Sequence, residues 1–174
     1  MKTCSKTLVV VIGLLMIAGV AVAQKAGFRS FGGLNFFTPL SGDGEVPPVD
    51  TLGRGNAIFS ANANRTEINY KVLVANVKNM TQAHIHCGAA DVNGPVVIFL
   101  FGLMPAGENL NGILAQGTVT ADDLIVRPDS EACPGGIGSF EELIARMEAG
   151  ETYANVHTID NPGGEIRGQI ESTR

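Results

Sequence analysis

The chain has no tryptophan and only two tyrosines, and its 12 Lys and Arg are outnumbered by 17 Asp and Glu in 174 residues. The shortage of positive charge argues against a nucleic-acid or anionic-membrane partner, because phosphate binding rests on Lys and Arg. The few basic residues are scattered and form no stripe. Charged residues make up only 17% of the chain, and 22 glycines and 8 prolines punctuate it. No long helical periodicity develops, which disfavours a large α-protein. A Gly-x-Ser-x-Gly elbow and a His-Glu-x-x-His helix are both missing, so a hydrolase has little support. Asp122-Asp123 and Glu141-Glu142 read as helix-start charges that complement the dipole rather than as acid pairs.

The N-terminal apolar run, residues 8–22, is about fifteen residues long, short of the roughly 20 that a spanning helix needs. Lys2 and Lys6 precede it and Ala21-Val22-Ala23 closes it, the pattern of a secretory signal peptide over residues 1–23. Gln24 follows where a lipid anchor would need Cys. Cleavage would leave 151 residues with a formal charge of −7, one domain with a sizeable core and no stable membrane anchor. The expected location is therefore secreted or periplasmic. Cys4 leaves with the signal, and the remaining pair, Cys87 and Cys133, reads as a disulfide in an oxidising compartment. Closing a 46-residue loop is worth about 4 kcal/mol in a chain-entropy account. The rival reading makes Cys87 a thiolate ligand beside His86.

Residues 24–33 are small and weakly patterned, a flexible leader. From there the chain reads as roughly eight short strands: 34–40, 55–61, 67–77, 81–87, 95–101, 112–118, 152–158 and 165–171. The first should be an edge strand, because Pro39 lacks a ladder donor. One helix is credible. Ser139-Phe-Glu-Glu is a capping box, Phe140, Leu143, Ile144 and Met147 share a face, and Gly150 stops it. Thr120-Ala-Asp-Asp suggests a shorter helical turn. Many short strands with one short helix give an all-β class, an antiparallel β-sandwich of immunoglobulin-like or Cu,Zn-superoxide-dismutase-like kind.

The three histidines carry the chemistry. His84 and His86 stand at i and i+2 in a strand, so alternation puts both imidazoles on one face. Ile85 and Cys87 then point to the other, which makes Cys87 a poor third ligand. His157 lies in another strand with Asn155 on its face. If those strands are neighbours, three neutral imidazoles converge, a set that suits copper or zinc and leaves a coordination position open. The bland alternative is a hydrogen-bonded polar network. Asn161-Pro-Gly-Gly is a hairpin turn that would pair residues 152–158 with 165–171. Glu165 and Arg167 share a face there, either as an ion pair on a solvated surface or as outer support in which Glu165 or Asn155 orients an imidazole through its second nitrogen.

Leu40-Ser-Gly-Asp-Gly-Glu-Val-Pro-Pro-Val, Ala83-His-Ile-His-Cys-Gly with Asn93-Gly-Pro-Val-Val, Tyr153-Ala-Asn-Val-His-Thr and Asn161-Pro-Gly-Gly-Glu-Ile-Arg-Gly together resemble the CHRD domain, named from chordin and found in many secreted microbial proteins. The resemblance covers residues 36–170 and delimits a domain over 34–174. It implies an extracytoplasmic β-sandwich-like domain and little about activity. The paired-histidine strand also resembles the copper-ligand strand of Cu/Zn superoxide dismutases. Three histidines in all are too few for their two-metal centre. Two functions are left in competition. One is a secreted domain that binds copper or zinc through His84, His86 and His157, for metal capture or redox chemistry. The other is a non-catalytic module that engages an extracellular protein or glycan without metal. Sequons at Asn64 and Asn79 would be glycosylated in a eukaryotic host.

Overall fold

The computed structural model describes residues 32–173. The signal peptide expected over residues 1–23 and nearly all of the leader lie outside the described residues. Among those described, no helix is long and apolar enough to cross a membrane.

Nine strands form: β1 (Asn35–Ser41), β2 (Arg54–Ala61), β3 (Glu67–Ala75), β4 (Met80–Cys87), β5 (Val96–Phe101), β6 (Gly112–Thr120), β7 (Thr152–Thr158), β8 (Ile166–Gln169) and β9 (Glu171–Ser172). They pair antiparallel in the order β5-β4-β7-β8-β1-β2-β3-β6, with β9 also on β1. The path curls on itself as an almost closed sheet, and its two halves face each other across one core as the layers of a sandwich do. Tyr70 of β3 donates its hydroxyl to the Leu100 carbonyl of β5, 2.8 Å away, across that closure.

The strands follow the alternation in the sequence. Ile68, Tyr70, Val72 and Val74 of β3 and Ala83, Ile85 and Cys87 of β4 all point into the core, with Phe36, Phe59, Val156 and Ile166 from other strands. The helix α1 (Phe140–Glu148) forms with Ser139 capping the Glu142 amide, and it buries Phe140, Leu143, Ile144 and Met147. Thr120 and Asp123 box a single 3₁₀ turn at Ala121–Asp123. Cys87 and Cys133 are disulfide-bonded with Cα atoms 5.5 Å apart, which removes Cys87 as a thiolate ligand.

Strand β1 is not an edge. It lies between β2 and β8, and the proline is accommodated by a gap. The ladder touches β1 at Ser41 through Arg167 and again at Phe36 and Phe37 through Ser172 and Glu171. Between those points the Pro39 carbonyl packs onto Gly168, where a Cβ would collide with it. The missing donor therefore falls where no ladder bond is required. The same gap splits the expected 165–171 strand in two, as Ile170 turns its amide to the Thr152 carbonyl at 2.9 Å.

Candidate metal centre

Register brings the histidines together. Along β4 and β7, Gln82 pairs with His157, His84 with Asn155, and His86 with Tyr153. Along β7 and β8, Asn155 pairs with Arg167 and Tyr153 with Gln169. The turn predicted at 161–164 makes the second pairing, closed by the Gly164 amide on the Asn161 carbonyl at 3.1 Å. Since the core takes Ala83, Ile85, Ala154 and Val156, alternation sends His84, His86, Asn155 and His157 to the opposite face. One donor nitrogen from each of the three histidines falls within 4.8 Å of the others.

That face is not solvated. His84, His86 and His157 are 2%, 7% and 5% exposed, and Arg167 and Glu165 are buried beside them. The expected surface ion pair does not form. Glu165 instead accepts from Thr51 Oγ1 at 2.8 Å and from Asn161 Nδ2 at 3.3 Å. Arg167 donates to the carbonyls of Ala89, Ala90 and Val92 and to Asn93 Oδ1, at 2.8 to 3.2 Å. The segment it holds, residues 88–94, buries the face together with residues 42–49.

The Nδ1 atoms of His86 and His157 are held by backbone carbonyls, and the Asn155 side chain acts on His86 from the same face. His86 Nδ1 donates to the Gly94 carbonyl at 2.8 Å and His157 Nδ1 to the Pro162 carbonyl at 2.9 Å. Each bond fixes the tautomer with the lone pair on Nε2. His84 Nδ1 lies 2.9 Å from His157 Nε2, which accepts its proton. Consequently His84 Nε2 and His86 Nε2 are buried with no hydrogen-bond partner, and so is Asn155 Oδ1. Buried acceptors without donors are costly. A cation supplies what they lack, so the residues fit a metal ion.

Electrostatics keep the rings in the ligating form. Burial, then the fields of His157 and His86, pull His84 down to about 3. Burial also pulls His86 down to about 4; its hydrogen bond to Gly94 and, more weakly, one with the Asn155 side chain oppose this, while His157 and Arg167 lower it further. His157 is lowered by burial against its bond to Pro162. All three imidazoles are neutral at pH 7.

Four residues of the site were not singled out in the sequence. Tyr153 stacks on His86, with centroids 4.7 Å apart and planes 10° apart, and carries the Arg167 guanidinium 3.3 Å from its ring centre. Its hydroxyl also accepts from the Gly94 amide at 3.1 Å. Phe99 meets His84 edge-on at 4.4 Å. Gly94 is a close approach that only glycine permits, since a Cβ there would strike the Cys87 carbonyl. Glu45, buried and with Oε1 unpartnered, rests on Gly164. Tyr153, Gly94 and Glu45 stand inside the motifs quoted above. Nothing local in those motifs tells a turn residue or a strand aromatic from a support of the histidines.

The CHRD domain family profile matches residues 36–170. No curated protein and no solved structure matches the chain. The match spans well over half of the sequence, and the chain belongs to the CHRD domain family.

Proposed function

We propose that this CHRD domain binds one transition-metal ion, copper or zinc, through His84, His86 and His157, with metal capture or redox chemistry as its task. The observation that carries the reading is the pair of bare, buried Nε2 atoms on His84 and His86 beside an Nε2 of His157 whose tautomer a backbone carbonyl has fixed. A purely hydrogen-bonded network would not leave them so. Bound copper or zinc would supply Lewis acidity, and copper also one-electron chemistry. The chain's own part is to hold the imidazoles neutral, exclude water with residues 88–94, and aim two rings through Gly94 and Pro162. Asn155 and Arg167 support the set from the same face.

We place the domain, residues 34–174, outside the cytoplasm after removal of residues 1–23. The Cys87–Cys133 disulfide supports that placement. The test of the site is elemental analysis of the purified domain before and after chelation, with His84→Ala alongside. About one equivalent of copper or zinc is expected in the parent, or after its reconstitution, and at least a tenfold loss of affinity in the variant. A parent that takes up neither metal overturns the reading.

A further inference from the structure

The charge around the three imidazoles distinguishes between ions. All three donors are neutral, and among the described residues no Asp, Glu or Cys joins them. Cys87, next to His86 in the chain, points into the core and is tied up in the disulfide. Asn155 Oδ1, an unpartnered acceptor beside them on this face, is neutral as well. An ion seated here receives no formal negative charge from its ligands.

Among the described residues, no neighbouring carboxylate is hydrogen-bonded to the three imidazoles. The Arg167 guanidinium, 1% exposed, lies 3.3 Å from the ring centre of Tyr153, which stacks on His86. Glu165 faces the same side, but its carboxylate is turned to Thr51 and Asn161 and bonds to none of the imidazoles. Glu45 rests on Gly164, drawn toward Arg167, and bonds to none of the imidazoles. The walls are aromatic, with Phe99 against His84 and Tyr153 against His86. In such a medium the cost of burying an ion grows with the square of its charge, so a dication costs about four times as much as a monocation. Repulsion from Arg167 doubles as well.

Resting on the three-histidine reading, we infer that the site selects a monovalent ion, Cu(I), over Zn(II) and Cu(II). Three neutral nitrogens complete the shell of Cu(I). Either dication would need a further ligand and a counter-charge, and among the described residues no side chain of the pocket supplies them. Among divalent ions Cu(II) leads the usual affinity order, so Cu(II) is the stronger of the two competitors.

The experiment is anaerobic titration of the folded domain with Cu(I) against a chromophoric Cu(I) chelator, and separately with Zn(II) and Cu(II) against their own indicator chelators. Cu(I) is expected to bind at least a hundredfold more tightly than either dication. Phe99→Glu tests the cause, because this half-exposed ring touches His84 and can be replaced without opening the core. An anion there should narrow the ratio of Cu(I) to Zn(II) affinity at least tenfold. Zn(II) or Cu(II) binding as tightly as Cu(I) overturns the inference and leaves the metal site standing, as does a ratio unmoved by Phe99→Glu. Binding of none of the three overturns the site itself.

Discussion

Glu45 shows how one side chain sets the response of the domain to pH. An ordinary carboxyl at 4.5 in the unfolded chain becomes one at about 7 in the folded chain, because burial outweighs the pull of Arg167. It holds its proton more tightly when folded, so its contribution is complete below pH 4.5 and is lost as pH rises through 7. The loss is about 3 kcal/mol. The metal-free histidines act in the opposite sense. Their folded values lie below 6.5, so their contribution stands above pH 6.5 and disappears as pH falls through about 4 for His86 and about 3 for His84. Histidine titration dominates on the acid side because three groups take up protons on unfolding against one carboxyl. Glu45→Gln should therefore make the metal-free domain more stable relative to the parent at pH 7.5 than at pH 4, by about 3 kcal/mol. Urea melts at the two values measure it. An identical pH dependence in the two proteins would show that Glu45 does not titrate as described.

Among elements, β4 links core and site. Its odd positions end in Cys87, tied to Cys133, and its even positions present His84 and His86. The disulfide anchors the segment that precedes α1 to the end of β4, where residues 88–94 depart to cover the face. Converting Cys87 and Cys133 together to Ser should cost about 4 kcal/mol of stability through the 46-residue loop. It should also weaken metal binding, since Gly94, which holds His86, packs directly on the Cys87 carbonyl. Thermal melts and metal titration of the double variant read the two effects. Unchanged metal affinity would separate the disulfide from the site. Almost all of the strands were legible because alternation is a local signal, and the capping box at Ser139 and the turn at Asn161 are local too. The place of β1 was not. Pro39 looks like an edge residue until β8 and β9 are known to part around it, and that depends on strands some 130 residues away. In the site, the shared face of His84 and His86 was legible from spacing alone. Its burial was not, because Glu165 and Arg167 look like surface charges unless residues 42–49 and 88–94 are seen to fold over them.

For the molecule as a whole, the three imidazoles exist as a set only when it is folded. His84 and His157 are 73 residues apart in the chain and 2.9 Å apart in space, and the two carbonyls that aim the rings belong to separate connections. The unfolded chain cannot assemble these donors, so the binding free energy of the ion adds to the free energy of folding. At free metal about a thousandfold above its dissociation constant the gain is about 4 kcal/mol. For a domain of this size that corresponds to a rise in Tm of about 10 °C. Differential scanning calorimetry of the loaded domain, repeated after chelation, should show that difference in the parent. His86→Ala, which keeps the fold but removes the donor aimed by Gly94, should melt at the same temperature with and without chelator. The control also distinguishes a site ion from one bound loosely to the acidic surface, because surface binding would survive His86→Ala and shift both proteins alike. A parent whose Tm ignores the chelator would mean that the converged nitrogens hold no ion in the native state, whatever their geometry.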